Sequence, residues 1–196
     1  MGERLGIFGG TFDPPHVGHL VSAVNVRHEL SLHRVLLVVN NLPWQKAGTR
    51  TVSPAKDRFA MVETAVVDVD GLEASRLELD AGGPSYTADT LATLLAEDPA
   101  RELFVILGAD AAAGLLSWER CEEVRDNATV VVVERPGARP APTPPGWRWT
   151  WVEVPSIDVS STDLRARAVD GRPLDYLVTH AVADWIDAHG LYRDRP

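Results

Sequence analysis

Cysteine is almost absent from this chain of 196 residues: Cys121 stands alone. No disulfide can close within the chain, a reducing compartment is the natural setting, and Cys121 reads as a packing residue rather than a nucleophile. Missing too are an apolar run long enough to span a membrane and a basic-then-apolar leader pattern at the N-terminus, so a cytoplasmic protein without a membrane partner is expected. Positive charge is scarce: 19 Lys and Arg face 28 Asp and Glu, a formal net charge of -9. That argues against a broad nucleic-acid-binding surface, but not against a small basic pocket holding a phosphorylated small molecule. The chain has no G-x-G-x-x-G fingerprint and no G-K-[ST] P-loop ending, which removes support for hydride transfer and NTP hydrolysis by those routes. There is no HExxH zinc motif and no convincing Ser-His-Asp or Cys-His set for nucleophilic catalysis.

What is present is ordinary globular material, 45% hydrophobic and 24% charged, with no internal repeat and no composition break. The expectation is one domain over residues 1–196. Apolar runs at Leu5–Phe8, Arg34–Asn40, Leu103–Leu107 and Thr129–Val133 predict interior strands, and Trp147–Val154 a last one. Leu72–Leu79 alternates and predicts an edge-like strand. Helices are expected from Val17 to about Leu30, and from a Ser53 cap with Pro54 at the first position to about Val69. Others are expected over Thr87–Glu97, over Ala111–Arg125 in two pieces broken near Gly114–Ser117, and over Ser161–Val169 and Leu174–His189. Strands alternating with helices predict an α/β fold: a Rossmann-like, doubly wound parallel sheet with helices on both faces and a small C-terminal helical part.

In such sheets ligands sit beyond the carboxyl ends of the strands. After the first strand the chain reads Gly9-Gly10-Thr11-Phe12-Asp13-Pro14-Pro15-His16-Val17-Gly18-His19. The glycines permit close backbone approach, and the prolines stop the helix from starting early. His16 and His19 project to one side of a predicted helix start, which carries unpaired N–H groups and partial positive charge. The combination is an anion site with two added imidazole donors, suited to phosphate. Surface polars or zinc ligands are the plainer alternatives, and zinc lacks a third histidine or a cysteine nearby.

Gly9–His19 resembles the GG(T/S)FxPxHxGH signature of the nucleotidyltransferase superfamily, and most closely that of bacterial nicotinate-nucleotide adenylyltransferases. Val159-Ser160-Ser161-Thr162-Asp163-Leu164-Arg165 is similar to the superfamily's ISSTxxR element. Pro43-Trp44-Gln45-Lys46 matches the loop after the second strand. Gly83-Pro84-Ser85-Tyr86-Thr87, Asp89-Thr90-Leu91, Gly108-Ala109-Asp110 and Trp118 match segments that narrow the likeness to the pyridine-nucleotide branch. Pro136–Gly146, rich in Pro and Gly, matches nothing assigned.

The resemblance implies transfer of the adenylyl group of ATP to nicotinate mononucleotide, giving deamido-NAD and pyrophosphate in NAD biosynthesis. His16, His19, Lys46 and Arg165 would be catalytic, by positioning and electrostatics. Gly9, Gly10, Thr11, Phe12, Gly108, Asp110, Ser161 and Thr162 would join the histidines and Arg165 in binding ATP. Trp44, Lys46, Tyr86, Thr87 and Trp118 would bind the mononucleotide. Plainer roles stay open: a helix cap for Ser160–Thr162, Thr87 and Asp110, and a solvated face for Lys46 and Arg165. Mg2+ would come carried on the ATP phosphates, with no protein metal ligand. ATP and nicotinate mononucleotide are the expected partners, and a homo-oligomer is compatible with the sequence. Alternatives are an adenylyltransferase acting on nicotinamide mononucleotide or pantetheine phosphate, a cytidylyltransferase, or a non-catalytic nucleotide-binding module.

Overall fold

The structure, a computed structural model, describes residues 2–42, 52–134 and 143–193. Six strands form one sheet: β1 Arg4–Gly10, β2 Arg34–Val39, β3 Leu72–Ser75, β4 Glu102–Gly108, β5 Ala128–Glu134 and β6 Trp149–Glu153. Their order is β3-β2-β1-β4-β5-β6, and every neighbouring pair is parallel. This is the Rossmann order, and the strand sequence reverses direction between β1 and β4. The carboxyl ends of those two strands, at Gly10 and Gly108, therefore flank the crevice where a ligand is expected.

The central strands are buried on both sides, which is why they read as continuous apolar runs rather than alternating ones. Side chains nonetheless alternate in space. Val35, Leu37 and Val39 pack with Ala23 and Val26 of α1 (Val17–Glu29) and with Phe59, Val62 and Val66 of α2 (Ala55–Val66). Leu36, Val38, Val105 and Leu107 pack with Ala88, Leu91 and Leu94 of α4 (Thr87–Glu97). A third cluster joins Met61 and Ala65 of α2 to Leu164 of α7 (Ser161–Asp170) and to Val182 and Ile186 of α8 (His180–Ala188). The C-terminal helices are thus seated on α2 and not on the sheet.

Three boundaries stand out as different from the sequence reading. The strand expected over Leu72–Leu79 stops at Ser75, and Leu77–Ala81 is a short helix, α3. Glu78 is drawn inward there by donors from Asn40 and Thr90, which extended backbone would have turned elsewhere. Pro54, not Ser53, caps α2; Ser53 is buried, with its N–H directed at Asp13. The last helix begins at His180 rather than Leu174, because Tyr176 adopts a left-handed conformation (φ 61°) and Thr179 supplies the cap. The stretch after β4 does break as expected: α5 (Ala109–Ala113), a 3-10 turn (Leu115–Ser117) and α6 (Cys121–Asn127). Among the described residues no helix is long and apolar enough to cross a membrane.

Leu164 is 1% exposed and seats α7 on α2. Leu164→Ala should lower unfolding free energy by about 2–5 kcal/mol, read as a lower urea midpoint at unchanged slope.

Candidate active site

The loop after β1 is built around Phe12, which is 2% exposed and held in the left-handed region at φ 49°. Its ring lies against Gly10, where any Cβ would meet it at 2.8 Å, so position 10 has no room for a side chain. Around Gly9 no atom lies within 4 Å of where a Cβ would stand, leaving bare backbone at the strand end. Phe12 also meets the His19 ring edge-on, with centroids 5.0 Å apart.

His16 caps α1 and His19 sits one turn in. Their rings stack, with centroids 3.6 Å apart and planes 22° from parallel. The backbone N–H of His16 donates to Nδ1 of His19 at 3.1 Å. A neutral His19 must then carry its proton on Nε2, as a donor. Gly18 is needed for this stack, because an added Cβ would press on His16 Nδ1 at 3.1 Å and on Val159 at 3.0 Å. His16 Nδ1 is buried without a hydrogen-bond partner. Burial pushes the His16 pKa down from 6.5 to about 4, so its imidazole is neutral near pH 7.

The serine–threonine–arginine element comes to this loop from the far end of the chain. Ser160 is the cap of α7, its Oγ accepting from the Asp163 N–H at 3.2 Å. Ser161 does something else: its hydroxyl donates to the Pro14 carbonyl at 2.8 Å. Arg165 donates to the Asp13 carbonyl at 2.8 Å and to Thr162 Oγ1 at 3.1 Å. The two sequence motifs therefore form one surface.

Beneath that surface lie residues the sequence reading did not single out. Asp13 is 1% exposed, and its carboxylate accepts from the Tyr192 hydroxyl at 2.8 Å and from the Ser53 N–H at 3.4 Å. Burial, then the Asp13 charge, pushes the Tyr192 hydroxyl well above its ordinary pKa. Arg58, also 1% exposed, donates to the carbonyls of Ser53, Thr11, Asn40 and Asn41 at 2.8–3.1 Å. One guanidinium thus ties the loops after β1 and β2 to the start of α2. Asp13 was visible inside the quoted motif. Arg58 gave no signal, since an arginine on a helix ordinarily reads as solvated.

Beside the loop, a cavity of about 240 Å³ runs from Gly9, Gly10 and Thr11 to Tyr86, Thr87 and Trp118. Tyr86 caps α4 and Thr87 begins it, with no side-chain cap bond from either. Arg120 reaches over the Tyr86 ring at 5.9 Å and pairs with Asp89 at 2.7 Å, linking α4 to the Trp118 segment. Gly108 is the cap of α5, and Asp110, in its first turn, is exposed at the end of β4. The structure brings together Gly9, Gly10, Thr11, Phe12, His16, His19, Ser161, Thr162 and Arg165, with Tyr86, Thr87 and Trp118 alongside. Trp44 and Lys46 lie outside the described residues, as does most of the Pro136–Gly146 stretch.

The cytidylyltransferase-like family matches residues 7–167. A protein of Corynebacterium kroppenstedtii named "Probable nicotinate-nucleotide adenylyltransferase" is 48% identical over 192 residues, covering 96% of this chain and 90% of its own. One of the same name from Thermus thermophilus is 43% identical, over 97% of this chain and 100% of its own. The chain belongs to the nicotinate-nucleotide adenylyltransferase family. The fold agrees: a solved nicotinic acid mononucleotide adenylyltransferase of Plasmodium falciparum, complexed with NaAD, superposes with a TM-score of 0.78 over 97% of both chains at 17% identity. The cytidylyltransferase-like match takes in the Gly9–His19 loop and Arg165 but ends before Tyr192. In this member of the nicotinate-nucleotide adenylyltransferase family, the Tyr192 brace on Asp13 comes from beyond that shared stretch.

Two outcomes follow. Arg58→Met leaves several buried carbonyls short of a donor and should cost at least about 3 kcal/mol in urea unfolding. His16 binds a proton in the unfolded chain below pH 6.5 but in the folded one only near pH 4. Its contribution to stability is therefore complete above about 6.5 and lost as pH falls toward 4. The urea midpoint should drop across that window, and His16→Asn should flatten the drop.

Proposed function

We propose that the chain transfers the adenylyl group of ATP to nicotinate mononucleotide, releasing pyrophosphate and deamido-NAD in NAD biosynthesis. The observation that carries this reading is the junction of the Gly9–His19 loop with Ser161 and Arg165 at the β1/β4 switch point. There a stacked imidazole pair, a guanidinium and a helix N-terminus surround one small surface, next to a cavity with an aromatic wall.

In the proposed reaction an oxygen of the mononucleotide 5′-phosphate attacks the α-phosphorus of ATP. A new P–O bond forms, the bond from the α-phosphorus to the oxygen bridging the β-phosphate breaks, and pyrophosphate leaves with that electron pair. The attacking phosphate is already an anion, so neither a general base nor a protein nucleophile is required. The protein's share is positioning and charge stabilisation. His19 Nε2–H and the His16 ring would face the phosphates. Arg165, Ser161 and Thr162 would hold the outer phosphates, as the first turn of α7 is suited to do. Gly9 and Gly108 leave space for the nucleotide against bare backbone, Gly10 seats the Phe12 ring that shapes the loop, and Asp110 would be in reach of ribose hydroxyls. Lys46 and Trp44 are assigned to the mononucleotide by motif alone. Imidazole, guanidinium and hydroxyl donors fit phosphate oxygens, not a bare cation. Mg2+ is accordingly proposed to ride on the ATP phosphates, where it neutralises their charge. A cytoplasmic setting, with Cys121 reduced, goes with this reading.

For the acceptor, Trp118 offers a face to the pyridine ring, and the N-terminus of α4 at Thr87 offers N–H donors to its substituent. A carboxylate gains from those donors and from the helix dipole, whereas an amide also presents N–H groups to them. Nicotinate should be preferred over nicotinamide mononucleotide.

The test is product analysis with ATP, Mg2+ and either mononucleotide. Deamido-NAD and pyrophosphate should form in equal amounts, faster than NAD from the amide. His19→Ala should lower kcat by roughly 100- to 1,000-fold, the scale for one transition-state donor, while the fold is retained. Absence of deamido-NAD, or near-normal turnover in that variant, would overturn the assignment.

A further inference from the structure

Among the described residues the only charged side chains lining the cavity are Glu78 and Glu119, both acidic. Glu119 is exposed. Glu78 is not: it is 8% exposed, and its two oxygens accept from Asn40 Nδ2 at 2.9 Å and Thr90 Oγ1 at 3.0 Å. Both partners, an amide and a hydroxyl, are neutral. No cation among the described residues pairs with it.

A buried carboxylate is ordinarily matched by a cation, because hydrogen bonds from neutral groups do not cancel its charge. Partial compensation comes from the first turn of α4, where Thr90 lies, and a helix start supplies at most about half a charge; the buried Arg58 guanidinium is bonded to carbonyls, that of Asn40 among them, and not to Glu78. Each carboxylate oxygen has a further lone pair beyond the bond it accepts. The wall of this cavity therefore carries a negative charge still open to a partner, and the same cavity is lined by Tyr86 and Trp118, aromatic side chains suited to a flat cation.

We infer that Glu78 is the counter-charge for the quaternary pyridinium ring, and that the site selects mononucleotides whose ring bears a fixed positive charge. The inference rests on the acceptor proposed above and deepens it. Recognition is then divided: the α4 N-terminus reads the anionic substituent, and Glu78 with Trp118 reads the cationic ring. A structural strut between α3, β2 and α4 would need only the hydrogen bonds of Glu78, whereas counter-charge recognition needs its charge.

The probe is a mononucleotide of the same shape with a neutral ring, the 5′-phosphate of a 3-carboxyphenyl C-riboside, compared with nicotinate mononucleotide in the ATP-dependent reaction. The wild type should favour the pyridinium acceptor by at least tenfold in kcat/KM, the order expected for one charge in a shielded pocket. Glu78→Gln can keep both hydrogen bonds, since the Thr90 hydroxyl can turn to accept. It should lose most of that preference through a higher KM for nicotinate mononucleotide, with KM for ATP within about twofold. Glu78→Asp keeps the charge and should keep the preference even if both acceptors bind less well. Equal use of the two acceptors by the wild type overturns the inference. So does an undiminished preference in Glu78→Gln, or a parallel loss for both acceptors. A Glu78→Gln protein that fails to fold still leaves the wild-type comparison and Glu78→Asp to decide. If the wild type forms no deamido-NAD at all, it is the proposed reaction that fails, and the two failures are separable.

Discussion

Two carbonyl groups, those of Asp13 and Pro14, hold the surface proposed to face phosphate in one piece. They belong to a loop that leaves β1 and must bury its backbone against α2 and the C-terminal helices. A buried carbonyl needs a donor, and here the donors are Arg165 and Ser161 from α7, at 2.8 Å each. The need for partners on one side and the supply of the proposed phosphate ligands on the other are met by the same segment. That is why the loop and α7 must come together. The Tyr192 hydroxyl and the Ser53 N–H apply the same logic to the Asp13 carboxylate, and Arg58 applies it to four further carbonyls. The loop is held from three directions, by α7, by α2 with the residue before it, and by Tyr192.

This matching also sustains a backbone conformation that Phe12 would not choose. A left-handed non-glycine residue costs about 1–2 kcal/mol, while full burial of a phenylalanine side chain returns about 1.5–3 kcal/mol. The balance favours the strained form only while the ring has a slot, and the slot exists because residue 10 lacks a Cβ. With Phe12 in place, His19 has an aromatic edge to rest on and His16 a ring to stack upon. The chain of causes runs from a missing side chain at Gly10 through the Phe12 ring to the seat of the two stacked imidazoles.

Much of this was legible in the sequence, and for definite reasons. The interior strands of a doubly covered sheet have to be apolar runs, so Arg34–Val39 and Ala128–Glu134 announced themselves. The glycine doublet, the prolines and the paired histidines marked the first loop because each relieves or imposes a backbone constraint. Leu72–Leu79 misled because its alternation fits a strand, yet Glu78 turns inward for hydrogen bonds that only the tertiary fold provides. Leu174–Thr179 misled because leucines at helical spacing say nothing about Tyr176 adopting a positive φ. Arg58 was invisible, for nothing local distinguishes an arginine that will feed four carbonyls from one that will face water. Tyr192 was equally so, since its partner Asp13 lies 179 residues away.

The charge distribution poses a question that net charge alone answers wrongly. A protein of formal charge -9 is read here as binding two anionic nucleotides, and long-range attraction would oppose both. Screening confines that opposition to about 8 Å at physiological salt, so the contact groups decide. Around the loop those groups are N–H donors, imidazoles and a guanidinium, which favour phosphate. In the neighbouring cavity the sign reverses, with Glu78 buried among neutral donors. A pyridine mononucleotide has the same division, an anionic phosphate at one end and a cationic ring at the other. A nucleotide with a neutral base would satisfy the first region and leave the second with its charge unmatched. On the proposed reading, selectivity among acceptors therefore belongs to the cavity, and the loop serves whichever phosphates are presented to it.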